Sequence, residues 1–244
     1  MNRLVLVLLK NLYKLPGVYL KLKRYALHAE QYPEKERYGH IQYTLNHVIT
    51  SGNITLQVTG QENIPPEGGC MLYANHQGMF DFIAIVATCD IPMGGVYKIE
   101  LDRIPFIRYI AQATHSFAMD RDDVRQSLTV IQKVTEEVKK GRRYLIFPEG
   151  TRSKNGNVMG EFHGGSFRCA TKSKCTILPI ACIDCFKVLD RKGCAPLTVQ
   201  VHYLKPIPYE EYAGMKPAEV AALVKSRIQE KIDECCADAP ADNA

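Results

Sequence analysis

The sequence predicts an α/β fold: a single domain with a mixed, largely parallel central sheet flanked by helices, preceded by an N-terminal amphipathic helical segment. From Cys70 onward, short apolar runs alternate with helical stretches, which is typical of a sheet covered by helices. No internal repeat, long linker or second apolar core is visible in the 244 residues, 46% of which are hydrophobic. A chain of this length and composition can bury a sizeable core.

The predicted elements follow in order along the chain. A helix at 38–49 precedes a strand at 54–59, where apolar and polar residues alternate. Three strand–helix pairs come next, at 70–74 and 80–88, at 94–97 and 104–112, and at 115–119 and 122–140. A strand at 143–147, a glycine-rich loop at 148–164, a short helix at 166–171 and strands at 176–183 and 197–203 complete the sheet. The last helix, 217–234, has a proline in its first turn.

Residues 1–28 carry the whole positive excess of the chain. They contain six Lys and Arg and no acid, whereas residues 29–244 contain 25 basic and 26 acidic side chains, so the net charge of +5 belongs to this segment. A charge this small gives little reason to expect a nucleic-acid partner, and we predict none. The apolar run at 4–9 is too short to span a bilayer, and no cleavage site typical of export follows it.

At helical spacing, Arg3, Lys10 and Lys14 lie on one narrow arc and leucines cover the remainder. This pattern predicts a helix in the membrane interface that ends at Pro16-Gly17, with its basic side chains on anionic headgroups. The alternative is a helix packed on its own domain or on a partner. We expect a membrane-interface segment at 1–50 that tethers a catalytic domain at 51–236 to the cytoplasmic face of the cell membrane, as a peripheral or monotopic protein. A frayed tail is expected at 237–244.

Nine cysteines indicate a reducing compartment, where thiols pack as small apolar side chains. Cys182-x-x-Cys185 with Cys194 suggests zinc, but no second close pair of Cys or His accompanies them. We therefore predict packing, with no metal and no resident cofactor. No phosphate-binding glycine motif follows a strand, and Arg168 replaces the last glycine of what would be a nucleophile elbow. Nucleotide-hydrolysing enzymes, nicotinamide enzymes and serine hydrolases are thus disfavoured.

His76 and Asp81 are the candidate catalytic pair. Five residues apart on one helix, they would point about 140° away from each other, so contact requires a turn between them, which Gly78 makes plausible. An Asp81 carboxylate that accepts one imidazole N–H would leave the other ring nitrogen of His76 as a general base. A buried histidine beside a helix-capping aspartate explains the same residues equally well.

A second cluster, 147–153, leaves another strand at the same edge of the sheet, where ligands of open α/β sheets bind. Here Arg152 could hold a phosphate or carboxylate, and Glu149 could accept a hydrogen bond from a substrate hydroxyl. Lys98 and Arg121 end two further predicted strands. Together these groups predict an anionic substrate that carries a hydroxyl.

Two of these stretches resemble motifs of the glycerolipid acyltransferases, and among them the bacterial 1-acylglycerol-3-phosphate O-acyltransferases. Asn75-His76-x-x-x-x-Asp81 is similar to their first motif and Phe147-Pro148-Glu149-Gly150-Thr151-Arg152-Ser153 to their third. Lys98-Ile99-Glu100-Leu101, Pro105 and Asp120-Arg121 match the second motif, and Ile177-Leu178-Pro179-Ile180 the fourth. Arg108, His115 and His163 depart from the usual residues.

The resemblance implies transfer of an acyl group from acyl-CoA or acyl carrier protein to the sn-2 hydroxyl of lysophosphatidate. Phosphatidic acid for phospholipid biosynthesis would be the product, and the thioester would be a substrate and not a cofactor. His76 and Asp81 would be catalytic. The substrate-binding residues would be Asn75, Lys98, Arg121, Glu149, Gly150, Thr151 and Arg152. An acyltransferase for glycerol-3-phosphate or another lysophospholipid, and a membrane protein that binds anionic lipid without turnover, are the alternatives.

Overall fold

The computed structural model describes residues 2–237, and within them seven strands form one sheet covered by ten α-helices. The strands are β1 (Ile54–Thr59), β2 (Cys70–Ala74), β3 (Gly94–Lys98), β4 (Phe117–Met119), β5 (Arg143–Ile146), β6 (Thr176–Ile183) and β7 (Leu197–Tyr203). The helices are α1 (Arg3–Asn11), α2 (Leu15–Leu27), α3 (Glu34–Ser51), α4 (Met79–Thr88), α5 (Pro105–Ala113), α6 (Val124–Lys139), α7 (Arg168–Ser173), α8 (Lys187–Asp190), α9 (Tyr209–Tyr212) and α10 (Pro217–Ala237).

The order of strands across the sheet is β1-β7-β6-β2-β5-β3-β4. All neighbouring strands are parallel except β6 and β7, which are antiparallel. This confirms the predicted α/β fold with a mixed, largely parallel sheet. β2 lies between β6 and β5, so the loops after these three strands meet at one edge.

The central strand β2 is buried along its whole length because helices cover both faces of the sheet. Its side chains alternate: Leu72 shares a core with residues of α3 and α4, whereas Met71 shares the opposite core with residues of α6, α7 and α10. A strand buried on both faces reads as a continuous apolar run, and this is why β2 and β6 were recognisable in the sequence.

The ends of several helices differ from the prediction. α3 begins at Glu34, four residues before the predicted start, and α10 runs to Ala237. The expected frayed tail therefore begins no earlier than residue 238, and residues 238–244 lie outside the described part of the chain. Glu, Lys and Arg form helices well, so apolar periodicity missed the first turn of α3, which consists of such residues.

The break in the N-terminal segment lies earlier than predicted. α1 ends at Asn11 and α2 begins at Leu15, so Pro16 stands in the first turn of the second helix and does not end the first. A proline is favourable there because the first backbone N–H groups of a helix have no partner inside that helix. Leu22 and Tyr25 of α2 belong to the hydrophobic core. The N-terminal segment is therefore packed into the domain that it was predicted only to tether.

Arg3 of α1 was predicted to lie on the membrane headgroups, but its side chain points into the protein. Only 4% of Arg3 is exposed, and its guanidinium donates to the carbonyl oxygens of Gly52 and Ala195. The leucines are left outside: Leu8 and Leu9 are 52% and 61% exposed. Five N–H donors in a fixed fork can satisfy buried carbonyl groups, which explains why the arginine turns inward. Among the described helices, none is both long and apolar enough to cross a bilayer.

Candidate active site

The carboxyl ends of β2 and β5 place the two motifs beside each other. β2 ends at Ala74, directly before the loop that carries His76, and the neighbouring β5 ends at Ile146, directly before the loop that carries Glu149. Ser153 donates its backbone N–H to the carbonyl of His76 at 2.7 Å, so the two loops are bonded to each other. This edge is where open α/β sheets bind ligands.

His76 is held by Asp81, and the distance from Nδ1 to Oδ2 is 2.8 Å. The loop turns at Gln77 and Gly78, whose backbone N–H groups both donate to the same Oδ2, at 2.6 and 2.8 Å. Asp81 thus caps the N-terminus of α4 and binds the imidazole with one oxygen. Since a carboxylate only accepts, Nδ1 carries the proton and Nε2 keeps its lone pair.

An aromatic ring packs on the face of the His76 imidazole, in addition to the hydrogen bond from its edge to Asp81. The ring of Phe147 stacks on that of His76, with centroids 4.4 Å apart and planes inclined by 23°. The His76 side chain is 20% exposed, whereas Asp81 is completely buried. An oriented imidazole with a buried carboxylate behind it and partial access to solvent has the geometry of a general base.

Glu149 lies behind His76, only 5% exposed. Its Oε1 accepts the backbone N–H of His76 and its Oε2 accepts that of Gly160, both at 2.7 Å. Burial raises the pKa of Glu149, and these two hydrogen bonds act in the opposite direction. The sequence suggested that Glu149 accepts a hydrogen bond from a substrate hydroxyl. In the structure, both of its carboxylate oxygens already accept backbone N–H groups, one from each of two loops.

Gly150 follows Glu149 in the left-handed region, with φ of +72°. A Cβ atom at this position would also lie 3.3 Å from the ring of His163. Both facts favour glycine.

Asn75 and Gln77, the neighbours of His76, are buried and bind the end of β6 and the loop that follows it. Asn75 donates from Nδ2 to the carbonyl of Cys182 at 2.8 Å and accepts the N–H of Cys182 at 2.7 Å. Gln77 accepts the N–H of Cys185 at 2.8 Å and donates to Asn157 Oδ1 at 2.7 Å. Asn75, a predicted substrate-binding residue, has its amide occupied by backbone in this structure. Gln77 and Asn157 were missed, although Gln77 lies inside the first motif.

Arg152 lines a cavity of about 300 Å³, together with Thr151, Lys154 and His163. Glu149 and Ser153, which both bond the main chain of His76, also line it. Its Nη1 lies 3.0 and 3.1 Å from the two carboxylate oxygens of Asp190, at the end of α8. The cavity is open, and its lining combines two cations and two hydroxyl groups with the carboxylates of Glu149 and Glu161. Arg152 and Lys154 are the groups in this lining that could bind a phosphate. Lys154, His163 and Asp190 were not predicted, and nothing in their local sequence distinguishes them from solvated surface residues.

Lys98 and Arg121 lie further along the sheet edge, at the ends of β3 and β4. Lys98 pairs with Glu100 at 2.7 Å. Partial burial lowers the pKa of Arg121, and the negative charge of Glu100 acts in the opposite direction. Lys98 and Arg152 therefore each have an acidic partner, which the sequence gave no reason to expect.

The thiols of Cys182 and Cys185 are buried against the catalytic pair. The two Sγ atoms and a carboxylate oxygen of Asp81 lie within 4.8 Å of one another. The residue that lies near both cysteines is therefore Asp81, and not Cys194, which the sequence suggested as the third member of a zinc site. Contact with Cys182, burial and the charge of Asp81 together hold the pKa of Cys185 well above its usual range. The thiol of Cys185 consequently keeps its proton.

The fold and the site define an α/β protein with a carboxylate-held imidazole and, on the neighbouring loop, a polar cavity that contains Arg152 and Lys154. A family model described as "Acyltransferase" matches residues 55–183, which include both motifs. The chain therefore belongs to the acyltransferase family, and the prediction of an acyltransferase is confirmed.

Curated relatives and a solved structure agree with this assignment. The chain is 26% identical over 182 residues to the 1-acyl-sn-glycerol-3-phosphate acyltransferase of Borreliella burgdorferi, covering 74% of this chain and 72% of the relative. It is 35% identical over 129 residues to the enzyme of the same name from Pseudomonas aeruginosa, covering 52% and 49%. The fold matches the crystal structure of the 1-acyl-sn-glycerophosphate acyltransferase from Thermotoga maritima, with a TM-score of 0.78, 20% identity and 98% coverage of both chains.

Proposed function

We propose that the protein transfers an acyl group from an acyl thioester to the sn-2 hydroxyl of 1-acylglycerol-3-phosphate and so makes phosphatidic acid for phospholipid biosynthesis. The names of the curated relatives support this acceptor. The single observation that carries the proposal is the 2.8 Å contact between His76 Nδ1 and Asp81 Oδ2, beside a cavity lined by Arg152. This arrangement combines a base for a hydroxyl group with a cation for a phosphate.

In the proposed mechanism, Nε2 of His76 removes the hydroxyl proton as the oxygen attacks the thioester carbonyl. The carbon–sulfur bond breaks when the tetrahedral intermediate collapses, and the proton passes from the imidazolium to the leaving thiolate. Asp81 stabilises the imidazolium during the reaction. No covalent acyl-enzyme is needed, which agrees with the lack of a nucleophile elbow in the sequence.

Arg152, with Thr151 beside it, holds the acceptor phosphate in this proposal, and Lys98 and Arg121 add positive charge along the same edge. Glu149 and Gly150 act by shaping the loop, since the Glu149 carboxylate holds backbone of two loops. The thioester, acyl-CoA or acyl carrier protein, is a substrate, and no metal or resident cofactor takes part.

The N-terminal helices hold the enzyme at an anionic membrane in this proposal, with the domain on the cytoplasmic side. The outer face of α1 is apolar and continues into Leu12 directly after it, since Leu4, Leu8, Leu9 and Leu12 are each more than half exposed. Lys21, Lys23 and Arg24 of α2 are also exposed. Exposed leucines beside exposed lysines suit the acyl boundary and headgroups of such a membrane. The acceptor and the product, both lipids, reside there.

Product analysis tests the acceptor. Purified protein is incubated with one acyl-CoA or acyl-acyl carrier protein and, separately, with lysophosphatidate, glycerol-3-phosphate and lysophosphatidylglycerol, and the products are separated by thin-layer chromatography. We expect phosphatidic acid from lysophosphatidate as the fastest product. Faster acylation of either other acceptor would contradict the proposed acceptor, and lipid binding without any product would contradict turnover.

A further inference from the structure

Asp81 uses only one of its two carboxylate oxygens for the catalytic loop. Oδ2 accepts from His76 Nδ1 and from the N–H groups of Gln77 and Gly78. Oδ1 is completely buried, and no N–H or O–H group of the described residues donates to it. A buried carboxylate oxygen without a donor is costly, so its surroundings need an explanation.

Two thiols occupy those surroundings. Cys182 and Cys185 are at most 1% exposed, and their Sγ atoms lie within 4.8 Å of the Asp81 carboxylate and of each other. The Cys185 thiol keeps its proton and is electrostatically coupled to Asp81. A thiol is a weak donor, and the structure places these two thiols next to the Asp81 carboxylate.

The catalytic loop itself fixes both cysteines in place. Asn75 binds the backbone N–H and C=O of Cys182, and Gln77 binds the N–H of Cys185. The two residues that flank His76 in sequence therefore hold the two cysteines whose thiols face Asp81. Such a closed set of contacts would be an unusual result of apolar packing alone, which the sequence predicted for these cysteines.

We propose that Cys185 is a positioning residue whose S–H donates to Asp81 Oδ1 and thereby orients the carboxylate toward His76. A weak donor on Oδ1 stabilises the buried carboxylate while it leaves most of the negative charge on Oδ2, which faces the imidazole. The thiol touches neither substrate nor reacting atoms and acts through Asp81. For its kinetic consequence this inference rests on the proposed role of His76 as the base.

The test compares three single variants of the full-length protein. Cys185→Ala removes the donor, Cys185→Ser keeps a donor of similar size, and Cys70→Ala removes an equally buried thiol from the first residue of β2, at the far end of that strand from His76. We expect Cys185→Ala to lower kcat about tenfold with both KM values unchanged, and Cys185→Ser to restore most of the loss. Cys70→Ala should lower the melting temperature comparably and leave kcat unchanged.

A second measurement does not depend on turnover. In protein labelled with ¹⁵N-histidine, the proton resonance of His76 Nδ1–H reports its hydrogen bond to Asp81. We expect this resonance to move in Cys185→Ala, to return toward the wild-type position in Cys185→Ser, and to stay in place in Cys70→Ala. If the wild-type protein made no phosphatidic acid, the proposed function would fail while this measurement still decided the role of Cys185.

Two results would overturn the inference. One is a kcat and a His76 resonance in Cys185→Ala that match those of Cys70→Ala. The other is a Cys185→Ser variant that folds like the wild type but is as slow as Cys185→Ala.

Discussion

The carboxylate of Glu149 accepts the backbone N–H of His76 at 2.7 Å. His76 is therefore fixed twice: through its ring by Asp81 and through its main chain by Glu149. The second contact joins the loop after β2 to the loop after β5, and the other oxygen of Glu149 extends this connection to Gly160. The loop that carries His76 and the loop that lines the cavity with Arg152 consequently form one unit.

Glu149→Gln should lower kcat more than it raises KM for the acceptor. The amide can accept only one of the two backbone N–H groups and turns its own NH₂ toward the other, so the His76 loop loses a strong contact and a repulsive one replaces it. We expect kcat to fall at least about tenfold. Steady-state kinetics with varied lysophosphatidate measures both constants. A normal kcat with a raised KM would instead indicate a direct contact between Glu149 and the substrate.

His76→Ala should abolish turnover but leave vesicle binding intact. Loss of a general base typically lowers the rate by about 10²- to 10⁴-fold, whereas the N-terminal helices do not involve this side chain. Asp81→Asn should lower kcat as well, because an amide at this position no longer stabilises the imidazolium. Acylation assays and co-sedimentation with anionic vesicles give the two readouts. Wild-type activity in His76→Ala would show that another group is the base.

Arg152→Lys should raise KM for lysophosphatidate about tenfold, because a lysine keeps the charge but loses the planar fork that fits phosphate oxygens. The change should leave kcat at saturating acceptor much closer to the wild-type value. Arg191→Lys is a matched control, since Arg191 is an exposed arginine directly after α8. An unchanged KM in Arg152→Lys would contradict the phosphate-binding role.

Leu8→Gln combined with Leu12→Gln should weaken binding to anionic vesicles without a loss of fold. Both side chains are more than half exposed, so their replacement removes apolar area from the membrane face and not from the core. Deletion of residues 1–28 is a poorer test because it also removes buried Leu22, Tyr25 and Arg3. Val124→Gln, at the exposed start of α6, provides the control. Equal sedimentation of all three proteins would refute the membrane role of α1.

His202 should make the protein less stable as the pH falls. Burial, reinforced by the positive charge of Lys231, lowers the pKa of this imidazole, which lies between Thr59 and Gln200. The unfolded chain then binds a proton more tightly than the folded one, so the free energy of unfolding decreases as the pH falls through the ordinary histidine range near 6.5. Urea unfolding between about pH 5 and 7 measures this.

His202→Asn should show a smaller decrease than the wild type over this range. The same substitution at the exposed residue His28 should keep the wild-type slope. Equal slopes in the wild type and His202→Asn would disprove the contribution of this group.

Local pattern was sufficient for much of the fold and for the contact between the candidate residues His76 and Asp81. The bounds of β1, β2, β6 and β7 are those predicted, since buried strands read as apolar or alternating runs between turn residues. His76 and Asp81 were identified because they are close in sequence and a turn between them was recognisable. Helix ends were less accurate: the break between α1 and α2 lies at residues 12–14 and not at Pro16.

The partners of each side chain depend on which strands become neighbours. The sequence by itself determined the class of fold, the candidate pair His76 and Asp81, and the basic, leucine-rich character of the first 28 residues. Tertiary structure decided that Glu149 and Asn75 bind backbone, that Arg152 pairs with Asp190, and that Arg3 points inward. It also placed the two cysteines of β6 and its loop against Asp81. These contacts join residues between 38 and 192 positions apart, and chain connectivity favours no particular long-range pair until packing has chosen one.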